Sequence, residues 1–502
     1  MIPLNTLSDA HKNAVVLFVL LAASYGFFYQ CGGANQNARL AMTRSLVEDR
    51  VLHINRFSAT THDVRIYQAR PQDQLRYPGL PVLVYSNKAP GSSFWAVPFW
   101  AACWYGLGEV IQTEWIRLTV SQYVTTFFAL GIPSAAGLAL FFLWLVHVTG
   151  RLRASSFVTL ALGLGSPFFP YSTMYYSHSL AAVVLFTAFF MAWTLKTRAA
   201  TSPIKSAWLF LIGFLAGFGV LLEYSACFPA LLILIYAGSV VRPWKRVAWM
   251  GLGAFITFAL LMSYHYRISG HFIYNTYTYL AQTGTGYALK GMREDRFVLP
   301  RIQVMAELLL GSQRGLFYMC PWLIMGILGW GSMMRRSLKA EGLLFAGICV
   351  SQVVFISGYG TTDYWNGGHS FTSRYLIVML PFLAAGVAFI RRELIFSTVV
   401  LALWSLLAVT ASTAVDPQIS PYFRDPLFEY IFPHFFQGHF AIGTVPLFAL
   451  QGFGHNGIAW NVGMLMGFSG HWQLAPLYAM WIAGVLFLMR GKKRSAQHSF
   501  VD

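Results

Sequence analysis

Long apolar runs, each closed by polar or basic residues, recur from one end of the chain to the other. A helical membrane span needs about 20 mostly apolar residues. Because backbone groups in lipid must be satisfied within the segment, these runs read as helices and not as the alternating strands of a barrel. On this pattern spans fall near 13–31, 118–149, 155–171, 178–195, 206–223, 226–241, 247–265, 317–333, 342–359, 375–390, 394–411 and 475–490. The predicted fold class is an all-α polytopic membrane protein of about twelve transmembrane helices, whose long outer loops carry interfacial helices. The first run is followed by "YQCGGANQNARL", which offers no small-residue cleavage site, so it is expected to be retained.

Composition agrees with the pattern. Of 502 residues, 56% are hydrophobic and 11% charged, which excludes a soluble globular class. The net charge of +17 gathers in one set of short loops, at Arg151, Arg153, Lys196, Arg242, Lys245, Arg246, Arg335, Arg336, Arg391, Arg392 and the run Arg490 to Arg494. By the positive-inside rule that side is cytoplasmic, with both termini on it. The charge is thus a matter of topology, and no nucleic-acid partner is needed to explain it. The five cysteines are scattered without CxxC spacing and indicate neither a metal site nor a disulfide framework.

The opposite, outer side carries three long segments, 32–117, 266–316 and 412–474, within what reads as a single membrane domain over 1–502. Loops of such length usually carry function. In the first, "NARLAMTRSLVEDRVL" has helical spacing and is expected to lie in the interface as an amphipathic helix. "SFWAVPFWAACWYGLG", short and broken by Pro98, suggests a re-entrant or interfacial helix.

Candidate chemistry sits where outer loops meet the membrane, since a charge there needs a partner or a task. The first loop offers carboxylates in "VEDR" (Glu48, Asp49) and "TTHD" (Asp63), with Lys88 in "YSNKAPG" and Tyr85 beside it. A carboxylate and a cation so placed suit a general base and an anionic leaving group, although surface ion pairs are the plainer reading. In "YYSHSL", His178 opens a span with Ser177 or Ser179 as cap, either an anion site or an interfacial anchor. Glu223 in "LLEYSACFP" must pair with a loop arginine or line a wet cavity. Arg314 in "GSQRGLFY" and Arg374 in "DYWNGGHSFTSRYL" stand among glycines as phosphate clamps or as snorkelling arginines, and Tyr364 and Trp365 accompany the latter.

Together, "YSNKAPG", the His-led helix start, "RGLFY" and "WNGGHSFTSRYL" resemble elements of the polyprenyl-phosphate-dependent glycosyltransferases of the GT-C superfold. The likeness is to the branch of protein O-mannosyltransferases and lipid A aminoarabinose transferases. That resemblance implies an inverting transferase acting on a lipid-phosphate sugar donor, with a glycan, lipid or protein acceptor, in a bacterial cytoplasmic (inner) membrane with its active site facing the periplasm or exterior. It also implies roles: Lys88, Arg314, Arg374 and His178 for the donor phosphate, and Glu223, Tyr85, Tyr364 and Trp365 for the cavity. Phe94 and Trp95 are assigned to the polyprenyl entrance. The better-known relatives carry an acidic residue just after the first span, where this chain has Gln36 and Asn37. The base is therefore expected elsewhere, at Asp63 first, then Asp49 or Glu48, the latter two being expected at the surface. Some members use a divalent metal and others none, and no dense ligand cluster is visible. The competing classes are a secondary transporter or lipid flippase, for which repeated halves and midplane charges are missing, and a glycan ligase or polymerase using a lipid-linked donor.

Overall fold

The computed structural model describes residues 4–30, 32–61, 63–198, 205–273, 298–359, 367–442 and 459–490. Its main helices are α1 (Leu4–Gly26), α2 (Ala34–Arg44), α3 (Gly91–Gly106), α4 (Glu114–Thr149, with a π turn at Phe127–Gly131), α5 (Leu152–Leu164), α6 (His178–Arg198) and α7 (Ser206–Leu222). They continue with α8 (Cys227–Val240), α9 (Val247–Ser269), α10 (Ile324–Arg335), α11 (Lys339–Ser357), α12 (Arg374–Phe389), α13 (Ile395–Val415) and α14 (Ala475–Met489). Every apolar stretch predicted as a span holds a helix. Those at α4, α6, α9, α11, α13 and α14 are long and apolar enough to cross a membrane. The chain is a polytopic, mainly helical integral membrane protein.

With lipid outside, helices associate through close packing more than through water exclusion. The α7–α9 pair shows how the sequence permits it. A Cβ on Gly213 would lie 1.9 Å from the Met250 carbonyl oxygen, and one on Gly253 would lie 2.1 Å from that of Phe210, so only glycine allows these backbones to touch.

The two ends of the bundle differ in character. His178 is the first residue of α6, and Lys196 lies near its last turn, roughly 27 Å away at 1.5 Å rise per residue. At the Lys196 end, the fully buried Glu341 receives Lys196 Nζ and the Tyr236 hydroxyl, each at 2.6 Å.

At the His178 end the segment 32–117 folds back on the bundle, and here the structure departs from the all-α expectation. Strand β1 (Phe28–Tyr29), just past α1, pairs with β4 (Trp460–Asn461). Strands β2 (Val64–Gln68) and β3 (Val82–Ser86) form an antiparallel hairpin, with Val64 opposite Ser86 and Gln68 opposite Val82. "VRIYQ" and "VLVYS" are rich in the β-branched and aromatic residues that strands favour. The hairpin covers its own apolar core of Ala41, Met42, Ile54, Leu83, Val84, Tyr85 and Tyr264.

The expectation for α2 is corrected. Residues Asn35 to Arg44 are all buried, so the helix is packed inside the protein and does not float in the interface. Its polar residues find internal partners, which removes the reason for them to seek water. α3 is a helix that runs through Pro98.

Candidate active site

The site grows from the loop that ends the hairpin. The ladder extends one step past β3, where the Asn87 amide donates to the Asp63 carbonyl at 3.3 Å. Lys88 follows at once, and its Nζ stands 3.0 Å from Asp63 Oδ2. The lysine side chain is 7% exposed and the carboxylate 23%. Burial pushes the Lys88 ammonium below the ordinary lysine range, against the opposing pull of Asp63.

The Pro-Gly turn after Lys88 seats this loop on the bundle. A Cβ on Gly91 would lie 2.5 Å from the Leu221 carbonyl oxygen, so glycine is required where the loop meets the end of α7. Two residues further along α7's exit stands Glu223. Its carboxylate accepts Arg39 NH2 at 2.7 Å and the Ser177 hydroxyl, and lies 3.2 Å from His178 Nδ1. Arg39 is anchored in turn by Asn35 Oδ1 at 3.0 Å and Ser92 Oγ at 2.9 Å.

The arginine expected for Glu223 is thus Arg39 of "NQNARL". Its signal in the sequence was a lone cation just past the first span, with no charged neighbour on its own helix turn. The anion site expected at the start of α6 is taken by the protein's own Glu223. Ser179 does not share it, since its hydroxyl donates to the Tyr171 carbonyl at 3.0 Å.

Arg374 opens α12 and faces two rings, with its guanidinium carbon 5.3 Å from the centroids of Tyr176 and Tyr375. His178 packs against the same rings, 5.9 Å from Tyr176 and 5.8 Å from Tyr375. Arg374 is close enough to act electrostatically on Lys88, Glu223 and Arg314. Arg314 is 1% exposed and donates NH2 to the Ile419 carbonyl at 3.0 Å. Burial pushes its guanidinium down to about 10, which leaves it charged at neutral pH. Arg314 Nε, Arg314 NH1 and Arg374 Nε are buried donors with no hydrogen-bond partner among the described residues.

The remaining candidates separate from this cluster. Glu48 is buried, contrary to the surface expectation, because it serves Arg44 at 2.9 Å and Trp100 Nε1 at 3.2 Å. Asp49 pairs with Arg56 at 2.9 Å. Tyr85 points into the hairpin core and packs edge-on to Tyr67, since alternation along β3 turns it away from Lys88. Gln36 and Asn37 have structural tasks, accepting from the Tyr175 amide and donating to the Thr60 carbonyl, each at 2.9 Å. Phe94 packs edge-on to Tyr264, and Trp95 is 39% exposed. Tyr364 and Trp365 lie outside the described residues.

No protein-family model matches the chain, and no curated protein matches it. Among solved structures it is similar to ArnT from Cupriavidus metallidurans bound to undecaprenyl phosphate, at 16% identity and TM-score 0.47, covering 94% of this chain and 77% of that one. The same protein in the apo state aligns at 14% identity and TM-score 0.46, over 96% of this chain and 77% of that one. The Archaeoglobus fulgidus oligosaccharyltransferase in the apo form aligns at 11% identity and TM-score 0.41, over 85% and 56%.

The chemistry of the cluster is set by its charge. Four cations, Arg39, Lys88, Arg314 and Arg374, face three carboxylates, Glu223, Asp63 and Asp416, and three guanidinium donors of Arg314 and Arg374 have no hydrogen-bond partner among the described residues. An unsatisfied buried donor costs about 1–3 kcal/mol, which a bound anion recovers. Asp63 and Glu223 are each paired with a cation, and among the described residues no group of three metal-ligating side chains occurs.

Proposed function

We propose that the protein is an inverting membrane glycosyltransferase that moves a sugar from a polyprenyl-phosphate donor to an acceptor hydroxyl on the outer face of the membrane. The observation that carries this reading is the buried, anion-seeking cluster of Lys88, Arg374 and Arg314 beside the Asp63 carboxylate, at one end of the helices. The basic loops stand at the other end with Lys196, which favours the outer side for the cluster. The quoted motifs that resemble the lipid-phosphate glycosyltransferases are the ones that converge here.

In this reading Asp63 is the base. It takes the acceptor's hydroxyl proton while the acceptor oxygen bonds to the anomeric carbon and the carbon–phosphate oxygen bond breaks. The phosphate leaves with the electron pair, and Lys88 and Arg374 stabilise the charge that develops on it. Glu223, clamped by three partners, fixes Arg39 and His178 and so shapes the cavity. Asp49 and Glu48, both held by arginines away from Lys88, are weaker candidates for the base. Charge gathered at one end, with no corresponding cluster in mid-helix among the described residues, suits this chemistry better than alternating access. A glycan ligase or polymerase would share the donor site and differ in its acceptor.

The test is binding of undecaprenyl phosphate to the purified protein in detergent, compared with Lys88→Ala and Arg374→Ala. Saturable binding that both variants lose supports the donor site. Absence of binding by the wild type, or unchanged binding by both variants, removes it.

A further inference from the structure

Two guanidinium groups sit on the Trp104 ring, and only one of them has a carboxylate. Arg44 stands 5.5 Å from the ring centroid and is neutralised by Glu48 at 2.9 Å. Arg117, in the first turn of α4, stands 3.9 Å from the same centroid. Trp104 is 8% exposed and stacked on Trp100 at 5.7 Å, so the surface that holds the Arg117 guanidinium is itself fixed. Arg117 Nε is a buried donor without a hydrogen-bond partner among the described residues. The ion pairs among those residues include neither Arg117 nor its two acidic neighbours in the chain, Glu109 and Glu114. Glu114 is three residues away on the same helix, a spacing that often allows pairing. Here the guanidinium is drawn onto Trp104 instead.

The place of Arg117 along the helix says what it meets. α4 has 36 residues, roughly 54 Å at 1.5 Å per residue, which exceeds the hydrocarbon thickness of about 30 Å. Its first turn reaches the headgroup layer, where Trp115 and Tyr105, 42% and 61% exposed, suit the aromatic belt of a membrane boundary. A guanidinium held flat on a ring in that layer presents its edge to lipid phosphate, which it can bind bidentately. Gly108 keeps that edge open, since a Cβ there would lie 3.2 Å from Arg117 NH1. Glu109 and Glu114 are exposed and stand toward water, Glu114 about one turn beyond Arg117. These two carboxylates would repel a purely anionic headgroup. One with phosphate on the hydrocarbon side and a primary ammonium on the water side meets a cation and then a carboxylate, in the order the helix presents them.

We propose that Arg117 and Glu114 form a binding site for a phospholipid whose headgroup joins a phosphate to a primary ammonium, taken from the leaflet at the His178 end of the bundle. The site is separate from the Lys88–Asp63 cluster, and the inference stands without the transferase reading.

The experiment offers the full-length protein in detergent equal amounts of dioleoyl phosphatidylethanolamine, phosphatidylcholine and phosphatidylglycerol, and native mass spectrometry counts the lipids retained. Arg117→Gln and Glu114→Gln are compared with the wild type, and monodispersity and thermal unfolding identify the variants that fold. The expected result is retention of phosphatidylethanolamine at least fivefold above either other lipid, since the methylated nitrogen of phosphatidylcholine cannot donate to a carboxylate. Arg117→Gln should cut that retention fivefold or more, and Glu114→Gln should bring phosphatidylethanolamine and phosphatidylglycerol within twofold of each other. Excess inorganic phosphate should leave the bound lipid in place. Equal retention of the three lipids, a preference for phosphatidylglycerol, or displacement by inorganic phosphate overturns the proposal. So does a phosphatidylethanolamine preference that survives in either folded variant; should Arg117→Gln not fold, the exposed Glu114→Gln decides alone.

Discussion

Lys88 Nζ and Asp63 Oδ2 meet at 3.0 Å across the open end of a hairpin, so a cation and a carboxylate far apart in the chain act as one unit. In the proposed reaction the pair divides its labour, the lysine holding phosphate and the aspartate taking a proton. Asp63→Asn is expected to lower turnover by about 10²- to 10⁴-fold, the usual contribution of a positioned base, with donor affinity changed less than threefold. Single-turnover assays beside lipid binding separate the two effects. A loss of donor affinity with an unchanged chemical step would reassign Asp63 to binding.

Lipid-phosphate binding should carry an alkaline limit set by Lys88. Its pKa lies below the ordinary lysine value because burial disfavours the charged form. Below that pKa the ammonium is present and binds; above it the neutral amine does not. Affinity should therefore fall as pH rises toward a point short of the usual lysine range. Lys88→Arg, charged throughout, should move that limb up by a pH unit or more. An alkaline limb unmoved in this variant would show that another group titrates.

Breaking the Arg39–Glu223 pair from one side strands a buried charge. Glu223→Gln is expected to destabilise the protein by about 3–5 kcal/mol, seen as a lower unfolding temperature in detergent. The double variant Arg39→Gln with Glu223→Gln should lose clearly less than the sum of the two single changes, since neither charge is then left alone. Strict additivity would mean that the contact contributes no coupling.

At the opposite end, Lys196→Ala leaves the buried Glu341 with Tyr236 as its remaining partner among the described residues. Stability should drop while transfer per folded molecule stays within twofold, because the site lies a full helix length away. A selective loss of turnover would place the two ends in communication.

How much of this was legible in the sequence varies with the range of the interaction involved. Apolar length and loop charge are local properties, and they were enough to place a helix in each expected stretch. The same reasoning put His178, Glu223, Arg314 and Arg374 at helix ends and Lys88 and Asp63 in the first loop, and it gave Glu223 either a loop arginine or a wet cavity, because a charge near hydrocarbon demands a partner or a task. Other features were beyond it. That Arg39 is the partner, that Glu48 is buried under Trp100, and that Tyr85 faces away from Lys88 all follow from contacts between distant segments.

The hairpin shows the limit most clearly. Its strands are five residues each, too short for a periodic signal to stand out beside long apolar helices. Yet its register is what sets Asp63 opposite Asn87 and so beside Lys88. The sequence by itself determined a helical membrane protein, since hydrophobic length acts residue by residue. Only the tertiary structure decided which charges share a site, because pairing depends on where the backbone returns. That return is governed by strand register and by close contacts such as Gly91 on Leu221.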